Sequence, residues 1–172
     1  MRFSFLLLAA LMTGCVSQPS SFKSASDGVV ITHDRGSKDR SPTYRIVADG
    51  RDLGRVKSIV DAETVERAPG LSVDQEVIWS SSGKTALIYE DMSDASPDYR
   101  HILIRIGPDS QSFQASRIDF GRRHSSPEDI YGHWPTVKRI TDEEIELEWA
   151  SEPTMQKIQI TDLRFQSESI RE

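Results

Sequence analysis

The sequence has little of three things: cysteine, positive charge and long apolar runs. With a single cysteine, Cys15, the chain cannot form an internal disulfide. Its 21 Lys and Arg residues are outnumbered by 27 Asp and Glu residues, and the net charge of −6 argues against a nucleic-acid-binding protein, which usually presents a basic face. The longest apolar run lies in residues 3–11 and is too short for a transmembrane helix, which takes about twenty apolar residues.

The amino terminus has the layout of a secretory signal. A basic start at Arg2 is followed by the apolar run and by small residues before Cys15. The residues Met12-Thr13-Gly14-Cys15 resemble the lipobox of bacterial lipoproteins, in which Leu is commonest where Met12 stands. The resemblance implies cleavage before Cys15, lipid on the cysteine sulfur, and attachment to a membrane through that lipid.

The same resemblance bears on where the protein resides. In bacteria with two membranes, lipoproteins that carry Asp directly after the lipidated cysteine commonly stay in the inner membrane. Val16 stands at that place in this chain. The resemblance therefore implies the outer membrane, on the side that faces the periplasm, if the organism has two membranes.

The segment that follows the lipobox is rich in serine and has no hydrophobic periodicity. Such a stretch cannot bury enough apolar surface to order itself, so it predicts a flexible tether. We therefore divide the chain into a signal peptide over residues 1–14, a lipidated cysteine with its tether over 15–27, and a single β-rich domain over 28–172.

Short apolar runs separated by turn residues dominate the remainder of the chain and predict strands. In residues 144–149 acidic and apolar residues alternate strictly, so three carboxylates face one side and Ile145, Leu147 and Trp149 the other. Helix signals are limited to residues 61–67 and 126–131. We predict a mostly β fold, an antiparallel sandwich or a curled meander of about eight or nine strands. The predicted core includes Trp79, Ile88, Ile104, Leu147 and Trp149.

One hairpin has a family likeness. Residues 77–89, with Trp79 followed by Ser-Ser-Ser-Gly-Lys, resemble the W-S-x-D-G-K hairpin of TolB-type propeller blades, with Ser82 in place of Asp. The resemblance implies a blade-like hairpin. Only one copy is present, whereas a propeller repeats a blade of roughly forty residues at least four times. A plain hairpin with Gly83 in its turn accounts equally well for these residues.

The irregular stretch 119–135 combines cations, histidines and aromatic residues, and loops of this length are often functional. We predict that it contacts a ligand or partner. A zinc site from His124, Asp129 and His133 matches no known ligand spacing, and we predict no metal and no cofactor. The predicted contact residues are Arg122, Arg123, His124, Tyr131, His133 and Trp134.

Two other segments mimic functional motifs. Residues Ser81 to Lys84 match the S-x-x-K pattern of penicillin-binding enzymes, but that motif works at the start of a helix and here lies in a predicted turn. The acidic loop 91–98 lacks the alternating ligand spacing of a calcium-binding loop. We therefore expect a non-catalytic envelope module that binds a protein or glycan. A cell-surface hydrolase or metal-dependent enzyme stays open as the alternative.

Overall fold

The computed structural model describes residues 20–24, 28–36, 40–59, 74–91, 100–121, 123, 126, 132–150 and 155–163. These residues form eleven strands and one short 3-10 helix. The mostly β, antiparallel fold predicted from the sequence is confirmed, with more strands than the eight or nine expected. The strands are β1 (Ser21–Lys23), β2 (Val29–Asp34), β3 (Thr43–Ala48), β4 (Arg51–Lys57), β5 (Asp74–Trp79), β6 (Thr85–Asp91), β7 (Arg100–Ile106), β8 (Phe113–Ile118), β9 (Thr136–Ile140), β10 (Glu144–Glu148) and β11 (Gln156–Gln159), and the 3-10 helix is Ile160–Asp162.

The strands form three antiparallel sheets, and within each sheet every strand pairs with its neighbour in the chain. Sheet 1 contains β1 to β4, sheet 2 contains β5 to β8, and sheet 3 contains β9 to β11 with β10 in the centre. Each sheet is therefore a simple meander. Ser21–Lys23 lies in the serine-rich stretch that predicted a flexible tether, but it pairs with β2 as the edge strand of sheet 1.

Tight turns set the register of these meanders. Asp49 and Gly50 have φ angles of 49° and 76° and form a two-residue turn between β3 and β4. In the sequence, turn-favouring and polar residues continue from Asp49 to Gly54. The chain instead resumes pairing at Arg51, and a register shift between Ile46 and Val47 follows in the ladder. β4 lies at the edge of its sheet, where polar side chains are tolerated. Because its first residues are polar, the sequence pattern did not indicate a strand there.

Two hairpins have turns held by local hydrogen bonds or by glycine, and the one with Gly83 in its turn was predicted from the sequence and is confirmed. In the first, Trp79 pairs with Ala86 across a turn that contains Gly83 at φ 70°. In the second, β9 and β10 pair across Thr141, whose hydroxyl accepts a hydrogen bond from the backbone N–H of Glu144 at 2.9 Å. Local turn chemistry therefore determines both hairpins.

Sheet 2 is the middle layer of the fold. Buried residues from one of its faces, such as Ile88 and Ile104, pack with sheet 1 in a first apolar core. Leu87 and Leu103, which point to the opposite face, pack with Leu147 and other residues of sheet 3 in a second core. Ile88, Ile104, Leu147 and Trp149 are buried as predicted. Trp79 packs at the margin of the first core and is half-buried, because it ends an edge strand.

The face of sheet 3 that points away from the second core is charged. Lys138 lies 2.5 Å from Glu148, and Lys157 lies 3.1 Å from Glu144 and 3.0 Å from Glu146. This is the acidic face that the alternation in residues 144–149 predicted. Exposed ion pairs contribute about 0–1 kcal/mol each, so their main effect is to keep this face hydrated.

Several predictions fall outside the described residues: the signal peptide, Cys15, the possible helix at 61–67 and most of the acidic loop 91–98. Within the described part of the chain, no helix has the length and apolar character needed to cross a membrane.

Candidate functional site

An isolated β-bridge joins the two ends of the irregular stretch between β8 and β9. The backbone N–H of Arg123 donates to the His133 carbonyl at 3.0 Å, and the N–H of His133 donates to the Arg123 carbonyl at 2.7 Å. Gly121 and Gly132 flank the bridge at φ angles of 71° and 65°, in the left-handed region that glycine adopts most readily. The bridge therefore fixes two of the predicted contact residues side by side.

The side chain of Arg123 is held against sheet 3. Its guanidinium carbon lies 4.1 Å from the ring centroid of Trp149, a cation–π contact. A guanidinium N–H donates to Oε1 of Gln156 at 2.8 Å, and the indole N–H of Trp149 donates to the same oxygen at 2.9 Å. One amide oxygen thus aligns the arginine and the tryptophan. Stacking and hydrogen bonding together fix the direction of a half-buried cation.

We call this group the Arg123 surface: Arg123, His133, Trp134, Trp149 and Gln156. His133 is exposed, Trp134 next to it is half-buried, and Trp149 is buried beneath Arg123. The group combines an imidazole with a positioned arginine and indole rings, and Arg and Trp are residue types favoured at binding hot spots. Such a group is better suited to binding a partner than to catalysing a reaction.

The structure brings together three of the six residues predicted from the sequence, namely Arg123, His133 and Trp134. Arg122, His124 and Tyr131 lie outside the described residues. Trp149 was predicted only as a core residue. Gln156 was not predicted at all, because nothing in a short Gln-Lys-Ile-Gln strand indicates a partner over thirty residues away.

Within the described residues no group of three or more His, Cys, Asp or Glu side chains is placed to hold a metal ion. Of the three zinc ligands considered from the sequence, only His133 is described.

A second polar cluster is buried between sheets 1 and 2. The carboxylate of Glu90, 2% exposed, accepts hydrogen bonds from the Tyr44 hydroxyl, from the Ser58 hydroxyl at 2.6 Å and from the backbone N–H of Ile59 at 2.9 Å. Burial and the neighbouring Glu90 charge raise the pKa of Tyr44 far above its usual range. The carboxylate is enclosed by donors from sheet 1, so it joins the two layers and is closed to a substrate.

Two histidines are buried in different layers. His33 lies beside Tyr44, with ring centroids 4.9 Å apart, and both ring nitrogens lie within 3.1 Å of the Gln75 amide nitrogen. Burial lowers the pKa of His33. His101 lies between the rings of Tyr89 and Phe120 at 5.2 and 4.7 Å, and burial lowers its pKa to about 4. Both are packed side chains, and burial favours the neutral form of each.

The serine-rich turn of sheet 2 is attached to sheet 3 through Asp142. Its Oδ1 accepts hydrogen bonds from the hydroxyls of Ser80, Ser82 and Thr85, each at 2.8 Å. Lys84 donates from Nζ to the Pro108 carbonyl at 3.1 Å. The S-x-x-K residues therefore lie in a hairpin turn, as the sequence predicted, and the hydroxyl of Ser82 within the motif binds a carboxylate.

Comparisons with protein families, with curated proteins and with solved structures gave no match for this chain.

Proposed function

We propose that this protein is a lipid-anchored module of the bacterial cell envelope that binds a protein or glycan partner without catalysis. Lipid on Cys15 attaches it to a membrane, the outer membrane where the organism has two, and the Arg123 surface contacts the partner. The observation that carries the binding role is the fixed Arg123 side chain, stacked on Trp149 and hydrogen-bonded to Gln156.

A positioned arginine favours binding for an entropic reason. A free arginine side chain loses about 0.5–1.5 kcal/mol of conformational freedom when a partner immobilises it. In this protein much of that ordering has already occurred, because the ring of Trp149 and the amide of Gln156 hold the guanidinium. A guanidinium group is a planar cation whose N–H groups suit carbonyl, carboxylate or sugar oxygens. Exposed His133 extends the same surface.

The anchor would hold the folded part close to the membrane. The first strand begins at Ser21, six residues after Cys15. Six residues of fully extended chain span at most about 20 Å. The short connection supports a role in which the partner also lies at or near the membrane surface.

Site-specific crosslinking and peptidoglycan binding test the proposal with the full chain. A photoreactive p-benzoylphenylalanine replaces His133 in one variant and Arg51, exposed on sheet 1, in the control. We expect the probe at position 133 to crosslink to a discrete envelope protein, or to isolated peptidoglycan with which the chain co-sediments. The probe at position 51 should form neither crosslink. Arg123→Gln should reduce that capture at least tenfold in a chain that stays folded by circular dichroism.

Two outcomes would contradict the proposal. Equal crosslinking from positions 133 and 51, together with unchanged capture by a folded Arg123→Gln chain, would exclude the Arg123 surface. Turnover of an envelope substrate by the purified chain, abolished by one carboxylate or histidine change, would replace the binding role by the hydrolase alternative.

A further inference from the structure

The outward face of sheet 1 is basic, although the protein as a whole is acidic. Phe22, Ile46 and Val56 of this sheet pack in the first core, so the residues that alternate with them point away from it. Four of these outward residues are cations: Lys23, Arg45, Arg55 and Lys57. We call this outward face, together with Arg35 at the end of β2, the basic face.

Two carboxylates on the same face reduce its charge only in part. Asp34 lies 2.7 Å from Arg40, and Asp52 lies 2.8 Å from Arg45, so each is paired with one arginine. Over the described residues of sheet 1 and its turns, 20–24, 28–36 and 40–59, seven are Lys or Arg and three are Asp. The sheet therefore keeps a net positive charge in a chain whose net charge is −6.

A cleft of about 440 Å³ lies on the basic face. Thr32, Arg45 and Arg55 are paired across β2, β3 and β4, so one row of the sheet brings all three to the cleft. Arg35 lines the same cleft, as does Asp34 with its paired charge. Guanidinium groups bind the oxygens of a phosphate with charged hydrogen bonds, and a hydroxyl can add a further one. The composition of this cleft suits a phosphate group.

Charge is distributed across the three layers with a direction. In contrast to sheet 1, the described residues of sheet 3, 132–150 and 155–163, contain six Asp or Glu and three Lys or Arg. The two sheets pack on opposite faces of sheet 2. The molecule therefore has a positive side and a negative side, and an anionic surface attracts the first and repels the second.

We propose that the basic face docks on anionic phospholipid headgroups, with a headgroup phosphate in its cleft and the Arg123 surface turned away from the membrane. This inference rests on the proposed lipid anchor. β1, which carries Lys23 of the basic face, begins six residues after Cys15, so the anchor keeps the face within about 20 Å of the lipid. The anchor then supplies proximity. The cations supply orientation, because attraction to anionic lipid acts within a Debye length of about 8 Å at physiological salt.

Vesicle co-sedimentation of the full-length Cys15→Ser chain tests the docking without the anchor. One kind of vesicle is phosphatidylcholine alone, and the other is phosphatidylcholine and phosphatidylglycerol in equal parts. The measured quantity is the ratio of the two binding constants, because the apolar residues 3–11 contribute alike to both. We expect a preference of at least about tenfold for the anionic vesicles. The preference should vanish in high salt, since the Debye length falls from about 10 Å at 0.1 M to about 3 Å at 1 M.

Two triple variants locate the docking face. The first removes three exposed cations of the basic face: Lys23→Gln, Arg45→Gln and Lys57→Gln. The matched control removes the same residue types from sheet 3, with the same change in net charge: Lys138→Gln, Arg139→Gln and Lys157→Gln. Each basic residue at an anionic surface contributes about 1 kcal/mol, so the first variant should bind the anionic vesicles about a hundredfold more weakly at 1.4 kcal/mol per tenfold. The control should lose less than about threefold.

Three results would overturn the docking: no preference of the Cys15→Ser chain for anionic vesicles, unchanged binding by the first variant, or equal loss in both variants. Circular dichroism establishes that each variant is folded. Fatty-acid labelling of the parent chain tests the anchor separately, and crosslinking from position 133 tests the partner. Failure of the docking is therefore distinguishable from failure of the proposed function.

Discussion

The buried carboxylate of Glu90 yields the sharpest prediction of stability. The substitution Glu90→Gln keeps the size of the side chain and removes its charge. In the native protein three donors, from Tyr44, Ser58 and Ile59, point at the two carboxylate oxygens. A glutamine amide has one oxygen and one NH₂ group. Either the Ile59 N–H then faces the NH₂ group, or the two hydroxyls turn to accept from that group and their own hydrogens lose the carboxylate acceptor. The site was formed around an anion and cannot accommodate the amide without losing hydrogen bonds.

The expected cost follows from the number of groups left without an acceptor. Each buried donor without a partner costs about 1–3 kcal/mol, and removal of one member of a buried charged cluster typically costs about 3–5 kcal/mol. Glu90→Gln should therefore reduce the free energy of unfolding by about 3 kcal/mol. Tyr44→Phe removes a single donor and leaves two, so it should cost less, about 1.5–3 kcal/mol.

Urea unfolding of the full chain in detergent, followed by circular dichroism, measures both values. With a slope of about 1–3 kcal/mol per molar urea for a small protein, the midpoint should fall by 1 M or more. Glu143→Gln is the matched control, because Glu143 is exposed in the turn before β10 and should change the midpoint little. If Glu90→Gln lowers the stability no more than Glu143→Gln, the reasoning about a buried anion is wrong.

Three further predictions concern the anchor, the second core and pH. Cys15→Ser should abolish labelling by a fatty-acid probe, and labelling equal to that of the parent chain would exclude lipid on this cysteine. Trp149→Ala should lower the free energy of unfolding by about 3–5 kcal/mol in urea, since the ring is 3% exposed and also supports Arg123. Burial lowers the pKa of His101 to about 4, from an unfolded value near 6.5. Between pH 6.5 and pH 4 the unfolded chain therefore binds a proton that the folded chain does not, so the free energy of unfolding should fall as the pH drops through this range. His101→Phe should flatten that part of the pH profile, and an unchanged slope would show that another group causes it.

The sequence pattern predicts strands well in this protein because side chains alternate between two faces. β10 has one buried and one charged face, and its acid–apolar alternation is easy to recognise. Residues 86–88 and 102–104 are instead uninterrupted apolar runs, because β6 and β7 are buried on both faces. That difference between alternating and continuous runs is the signal that sheet 2 is the middle layer.

The polar clusters could not be predicted because they depend on pairs distant in sequence. Tyr44 and Glu90 are 46 residues apart, and Ser80 and Asp142 are 62 apart. No local pattern marks one of many acidic residues as the partner of a particular hydroxyl. For the candidate site, composition alone identified the stretch that contains Arg123 and His133, but the position of Gln156 requires the register of β10 and β11.

The order of the layers connects the proposed anchor with the proposed contact surface. After Cys15, the proposed site of lipid attachment, the chain enters the fold at β1, in sheet 1, whereas Arg123 stacks on the residue that follows β10, in sheet 3. Sheet 2 lies between them, with a core on each face. Packed sheets are about 10 Å apart, so roughly 20 Å of protein separates the sheet nearest the anchor in the chain from the sheet that carries the Arg123 surface. Under the proposed anchoring, this separation would leave the Arg123 surface accessible to a partner while lipid on Cys15 holds sheet 1 near the membrane.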